Sequence, residues 1–312
     1  MSDDTARLTR NAALASVSAA LLLGVLKGYA AWATGSVAML GSLADSVLDL
    51  VASLVTLFGV WVAAQPADED HRFGHGKAES LAALFQVAVI TVSAVAILVQ
   101  AVQRLSSGEV SANAEYGIAV SGIAILVTLA LTSYQRFVIA RTRSVAIGAD
   151  NVHYQSDLLL NAAVIVALAL EHYVGLAGAD PVFGVAIALW LLFGAWRASI
   201  AAIDQLMDKE WPEDKRMRFV EIASRHPELK NLHDLRTRSS GAHDFVQFHI
   251  GMDPMMTVAQ SHDVVERLEA ELRDEFPGTE ILIHVDPEGQ VDQPDNPMAE
   301  ADLIEQLKED RE

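Results

Sequence analysis

Six stretches of this chain are each long and apolar enough to cross a lipid bilayer, and that feature limits the fold more than any other. A hydrocarbon core of roughly 30 Å needs about 20 mostly apolar residues per helix. Residues 12–34, 37–63, 78–104, 115–138, 148–175 and 181–203 satisfy this. Between them lie breakers: Gly35-Ser36, the polar run 65–77, Ser106-Ser107-Gly108, Arg141-Thr142-Arg143 and the segment 175–181. Lipid offers no partner for backbone polar groups, so spans of this length are helices. The first half is thus expected to be a membrane all-α bundle of six helices.

An even number of spans returns both termini to one side. Arg7, Arg10, Arg72, Lys77, Arg136, Arg141 and Arg143 all fall on that side, whereas the opposite side offers only Arg104 at a helix end. Positive residues stay on the cytoplasmic face, so both termini are expected there in a multi-pass protein. Polar residues 1–11 lead straight into a full-length span, which fits a first membrane helix or signal-anchor and not a cleaved signal.

Composition sharpens the division. The chain is 52% hydrophobic over 312 residues, with a mean hydropathy of +0.27. Apolar residues concentrate before about Ile203 and charge accumulates after Asp204. The predicted domains are therefore a transmembrane domain over 1–208, a soluble domain over 209–287, and an acidic tail over 288–312 without fixed structure. A net charge of −19 excludes nucleic acid as a partner, because nothing would neutralise its phosphates. With no cysteine, disulfides and thiolate metal sites are excluded as well.

In the soluble domain, residues 212–225 have helical spacing. Residues 229–238 and 243–252 are expected as strands joined by the turn signal Ser239-Ser240-Gly241. A charged amphipathic helix over 258–276 and a short β-branched strand over 280–285 follow. The order αββαβ predicts a small α+β domain, an open sheet covered by two helices.

Ionisable residues inside the apolar stretches carry the chemistry. An Asp at mid-bilayer costs about 2.5 to 3.5 kcal/mol on insertion scales, so several together need a reason. Asp45 and Asp49 in the second span, and His153 and Asp157 in the fifth, are each four apart. That spacing places each pair on one helix face. Two such pairs facing each other offer three carboxylates and an imidazole, a tetrahedral set suited to zinc. Taken singly, Asp45 has another role open to it, pairing with Lys27, and His153 could lie in the headgroup layer. In the soluble domain His249 alternates with the apolar Val246, Phe248 and Ile250. His284 and Asp286 alternate likewise with Ile281, Ile283 and Val285. His249, His284 and Asp286 can then converge on one sheet surface, with His262 arriving from the helix.

Three segments resemble the cation diffusion facilitator family: Asp45-Ser46-Val47-Leu48-Asp49, the loop Gln65-Pro66-Ala67-Asp68 through Phe73-Gly74-His75-Gly76-Lys77-Ala78-Glu79-Ser80-Leu81, and His153-Tyr154-Gln155-Ser156-Asp157. The resemblance runs from about Leu8 to Pro287. It implies a homodimer, joined through metallochaperone-like cytoplasmic domains, in a bacterial inner membrane, exporting divalent metal in exchange for protons. It assigns Asp45, Asp49, His153 and Asp157 to transport, with the histidine going with Zn2+ and Cd2+, and Fe2+ also admitted. It further implies a loop metal site at Asp68, His71 and His75, and a binuclear site at His233, His249, His262, His284 and Asp286. Finally, it suggests an ion pair between Lys77 and Asp208. The remaining histidines, His172, His226 and His243, have solvated or capping roles on this reading.

Rival functions have less support. A zinc protease would need a His-Glu-x-x-His motif, which is absent, and an open coordination position. A phosphate-binding glycine loop is absent too, which disfavours a nucleotide-driven pump. A metal channel without proton coupling, and a metal-sensing membrane protein, stay open at this stage.

Overall fold

The computed structural model describes residues 3–34, 37–107, 115–174, 179–289 and 302–309. It forms two compact units, Met1–Asp204 and Gln205–Glu312. The expected breakers Gly35-Ser36, Gly108 and 175–178, and tail residues 290–301, lie outside the described residues, as do the side chains of Arg104 and His172.

The first unit is helical: α1 (Asp3–Thr34), α2 (Val37–Ala63), α3 (Ala78–Ser107), α4 (Glu115–Thr142), α5 (Val145–Val174) and α6 (Ala179–Leu206), the last of which runs into the second unit. The shortest has 27 residues, about 40 Å at 1.5 Å per residue. Among the described residues, five stretches are long and apolar enough to cross a membrane: Asp4–Ala33, Asp45–Ala63, Ala78–Gln103, Gly122–Thr142 and Pro181–Leu206. The stretch not among them is α5. It has 30 residues, and its first half, where the side chains are described, carries Asp150, Asn151, His153, Gln155 and Asp157.

This unit is inside-out relative to a water-soluble fold. Trp32, Phe58 and Leu126 are exposed, while Ser16, Ser53, Thr56, Gln86, Gln135 and Asp150 are buried. An apolar exterior suits hydrocarbon, and hydrogen bonds linking buried Ser16, Ser53 and Gln135 to residues of α5 join helices where the hydrophobic effect cannot. Small residues let the helices approach. A Cβ added at Gly59 would lie 2.4 Å from that of Ala82, so α2 and α3 touch there without room for a side chain.

The second unit contains α7 (Glu213–Ala223), β1 (Asn231–Ser240), β2 (His243–Met252), α8 (Val258–Glu275), β3 (Thr279–Pro287) and α9 (Leu303–Glu309). The sheet order is β1-β2-β3, with β1 antiparallel and β2–β3 parallel. A parallel neighbour requires a crossover, and α8 provides it. Thr257 and Gln260 start α8 with a reciprocal capping box. Its buried face is Val264, Leu268 and Leu272, one residue per turn, set against Phe219, Phe248 and Ile250.

Two details depart from expectation. Part of the acidic tail is ordered: α9 buries Leu303 and Ile304 in the core, and Asp302 Oδ1 accepts from the amides of Ile304 at 2.9 Å and Leu232 at 3.1 Å. Two apolar residues and one cap are enough to dock a short helix within an acidic stretch. Strand β1 also carries a bulge, its register slipping between His233 and Arg236, with Asp234 at φ 49°. The extra residue lets Leu232, Leu235 and Thr237 all face the core while His233 faces the other side.

Candidate metal centres

Among the described residues, three groups of ligand-type side chains assemble, each with one ligand atom per residue within 4.8 Å of the others: Asp49, His153 and Asp157; Asp68, His71 and His75; and His233, His249 and Asp286.

The first lies between α2 and α5. His153 Nε2 donates to Asp49 Oδ1 at 3.0 Å. The His153 side chain is only 5% exposed and that of Asp49 19%, so the pair lies at the edge of the buried interior. Asp157, one turn further along α5, completes the group. Asp45 is exposed and lies outside it, so the structure unites three of the four residues singled out by spacing.

Around this group runs a polar network that the sequence reading missed. Tyr154 donates to the Ser16 carbonyl at 3.0 Å and its hydroxyl meets Ser53 Oγ at 2.9 Å, tying α5 to α1 and α2. Asp150 Oδ2 accepts from Ser16 Oγ at 2.6 Å and from Gln135 Nε2 at 2.7 Å. Gln135 Oε1 in turn accepts from Asn151 Nδ2 at 2.9 Å. Insertion among apolar residues is as costly for Asp150 as for Asp157. At the start of α5, Ser144 accepts from the Ile147 amide at 3.3 Å and donates to Glu79 Oε2 at 2.5 Å, joining α3 to α5.

The second group occupies the loop between α2 and α3. Asp68 Oδ1 accepts from the amides of His71 at 2.6 Å and Asp70 at 3.0 Å. The bond from the His71 amide, first among the causes, holds its carboxyl below the usual range. Asp68 Oδ2 lies 3.2 Å from His75 Nε2. His75 Nδ1 donates to the Pro66 carbonyl at 3.2 Å, an orientation that turns Nε2 toward Asp68. Gly74 closes the turn at φ 76°, a conformation costly for other residues.

The third group is set by strand register. His233 pairs with His249, and His249 with His284, so the three form one row across the sheet. Asp286 turns both oxygens toward that row and accepts a hydrogen bond from His249 Nδ1. His249 Nδ1 is 3.0 Å and His233 Nε2 3.7 Å from Oδ2, while His284 Nε2 is 3.1 Å from Oδ1. His262 does not join; it is exposed, 3.8 Å from Glu266, and shares with Asp286 a cavity of about 420 Å³.

Other candidates find neighbours of their own. His226 Nε2 is hydrogen-bonded to Glu271 at 3.0 Å, so it is not a merely solvated residue. His243 stays half-buried at the hairpin, and burial holds its imidazole below the usual range. Asp208 lies 3.7 Å from Arg238 within the second unit, and Lys77 belongs to the first.

Residues 13–207 match the family described as the cation efflux transmembrane domain, and residues 211–288 match the cation efflux protein cytoplasmic domain. The chain belongs to the cation diffusion facilitator, or cation efflux, family. Among its relatives, the cation-efflux pump FieF of Cronobacter sakazakii is 44% identical over 92% of this chain and 95% of its own length. FieF of Serratia proteamaculans shows the same values, and that of Yersinia pestis is 43% identical over the same shares. Of solved structures, the metal-bound C-terminal domain of the CzcD transporter from Thermotoga maritima is 26% identical. That comparison covers 26% of this chain and 99% of the domain, with a TM-score of 0.25. Membership in the cation efflux family spans both units, so the ligand clusters of each belong to domains that family members carry.

Proposed function

We propose that the chain exports divalent transition-metal ions, zinc first and cadmium or iron(II) after it, in exchange for protons. The observation that carries this is the grouping of Asp49, His153 and Asp157 between two apolar helices. Ligand-type residues at that depth cost insertion energy, which a bound dication offsets. Imidazole beside carboxylates favours zinc over harder ions such as magnesium and manganese. Asp45, one turn away on α2, supplies the fourth ligand once α2 and α5 close on the ion.

Proton coupling follows from the same atoms. Without metal, His153 Nε2 carries the proton it shares with Asp49. A metal ion needs that nitrogen's lone pair and the carboxylate's charge, so metal and proton exclude each other. Facing the cytoplasm, the site loads metal and gives up protons. Facing the opposite side, it takes protons and releases metal. The protein is then a multi-pass protein of the bacterial inner membrane, with both termini cytoplasmic and α5 counted as a sixth span.

In the cytoplasmic domain we assign His233, His249, His284 and Asp286 to resident zinc. Both oxygens of Asp286 are already turned to different histidines, which suits a carboxylate bridging two ions. Zinc there would supply structural cross-linking, and His262 would join it at the dimer contact. Asp68, His71 and His75 form a weaker, solvent-open site with a regulatory role.

The test is zinc flux into proteoliposomes driven by a pH gradient alone. Accumulation against a zinc gradient, lost on collapsing ΔpH, is the expected result. Flux that only ever runs down the zinc gradient would instead mean an uncoupled channel.

A further inference from the structure

Asp150 is a buried carboxyl group that the proposed metal set does not use. It lies on α5 one turn before His153 and is fully buried. Its two oxygens are treated unequally: Oδ2 accepts from Ser16 and Gln135, while Oδ1 is buried without a hydrogen-bond partner among the described residues. The nearby donors are already engaged. Gln135 Nε2 donates to Ser16 Oγ as well as to Asp150, Asn151 Nδ2 donates to Gln135, and Gln155 donates to Asn151. The titratable groups facing it are His153 and Tyr154 on its own helix and Asp49 from α2. From α1 and α4 it meets the neutral Ser16 and Gln135. Glu79, at the start of α3, is held by Ser144.

A carboxylate with one oxygen unpaired in a low-dielectric interior is better accommodated as the neutral acid. His153 on the same helix offers an opposite charge, and Asp49 facing it from α2 adds a like one. A dication arriving about one helical turn from Asp150 reverses the local sign and favours the carboxylate. Once ionised, that carboxylate keeps the donors Ser16 and Gln135, so both charge states have a place in the network.

We propose that Asp150 is a proton-binding site separate from the metal ligands, exchanging one proton for each metal ion carried. As metal enters, the Oδ1–H bond breaks, its electron pair stays on the carboxylate, and the proton leaves to the cytoplasmic side. As metal departs, a proton from the other side restores the acid. This rests on the transport-site assignment above and adds to it a group that never touches the metal.

The experiment counts protons released per zinc bound by the full-length protein in detergent, in weak buffer with an indicator dye and zinc chloride as the probe. Asp150→Asn is expected to bind zinc and release one proton fewer than wild type. Ser16→Ala, which disturbs the network but keeps the acid, is expected to release the wild-type number. An unchanged count in Asp150→Asn overturns the proposal, and so does the same deficit in Ser16→Ala. If Asp150→Asn does not fold, infrared difference spectra of wild type and Ser16→Ala decide. Zinc should erase the carbonyl band of a neutral carboxylic acid, and that band should move in Ser16→Ala, because Ser16 donates to that oxygen; a band that stays in place or does not respond to zinc overturns it. Asp157→Ala separates the two readings. If it binds zinc and releases protons like wild type, the transport-site assignment fails, whatever Asp150 does.

Discussion

The membrane cluster and the cytoplasmic cluster use nearly the same donors on opposite kinds of scaffold. Asp49, His153 and Asp157 come from two helices separated in sequence by about a hundred residues, joined by side-chain contacts alone. His233, His249, His284 and Asp286 stand on three adjacent strands whose backbone ladders fix their spacing. Helices that meet through side chains can part without breaking secondary structure, whereas a row across a sheet cannot widen without losing its ladder. The first arrangement suits a site that must capture and release an ion, and the second suits one that holds it.

Deleting a ligand from each should give unequal results. Asp157→Ala is expected to lower zinc flux by more than the 10- to 100-fold typical of losing an outer-shell partner. Asp286→Ala should leave flux within about threefold of wild type while weakening the proposed dimer. Stopped-flow flux assays with size-exclusion measurements check this; equal losses of flux would erase the contrast. Next in size, His153→Asp should cut the zinc-over-manganese preference by about tenfold or more, since it replaces imidazole with a harder oxygen ligand. Competition assays in vesicles read that directly, and unaltered selectivity would mean the imidazole does not discriminate.

Smaller effects probe the two scaffolds. Gly59→Val forces a side chain against Ala82, and overpacking of this kind costs about 1 to 3 kcal/mol. Thermal melting in detergent should fall accordingly, with the cytoplasmic domain unaffected. The least effect is expected from Asp302→Ala, which removes the cap of α9 and the acceptor for the Leu232 amide, about 1 kcal/mol. Hydrogen exchange should rise at Leu232, beside His233, and leave β2 and β3 protected. Exchange that rises across all three strands would show the sheet to be less rigid than its ladder suggests.

Much of this was legible before any coordinates. Long apolar runs announced α1 to α4 and α6 because the bilayer sets a length that chance rarely meets. The αββαβ order was legible for a similar reason, in that period-two alternation and the Ser239-Ser240-Gly241 turn are local signals. The convergence of His249, His284 and Asp286 followed from the same alternation. Less visible was α9, whose burial rests on just Leu303 and Ile304 within an acidic stretch. The bulge at Asp234 also escaped notice, since no single residue there is unusual.

The sequence by itself determined what must be buried and on which helix or strand face each ligand stands, since helical and strand periods are properties of the local chain. Only the tertiary structure decided which faces meet. It joined Asp49 to His153 while leaving Asp45 outside, set His233, His249 and His284 in one row, and gathered Ser16 and Gln135 around Asp150. Those pairings depend on how helices pack and strands align across long separations, and that information is spread over many weak contacts that no short stretch of sequence contains.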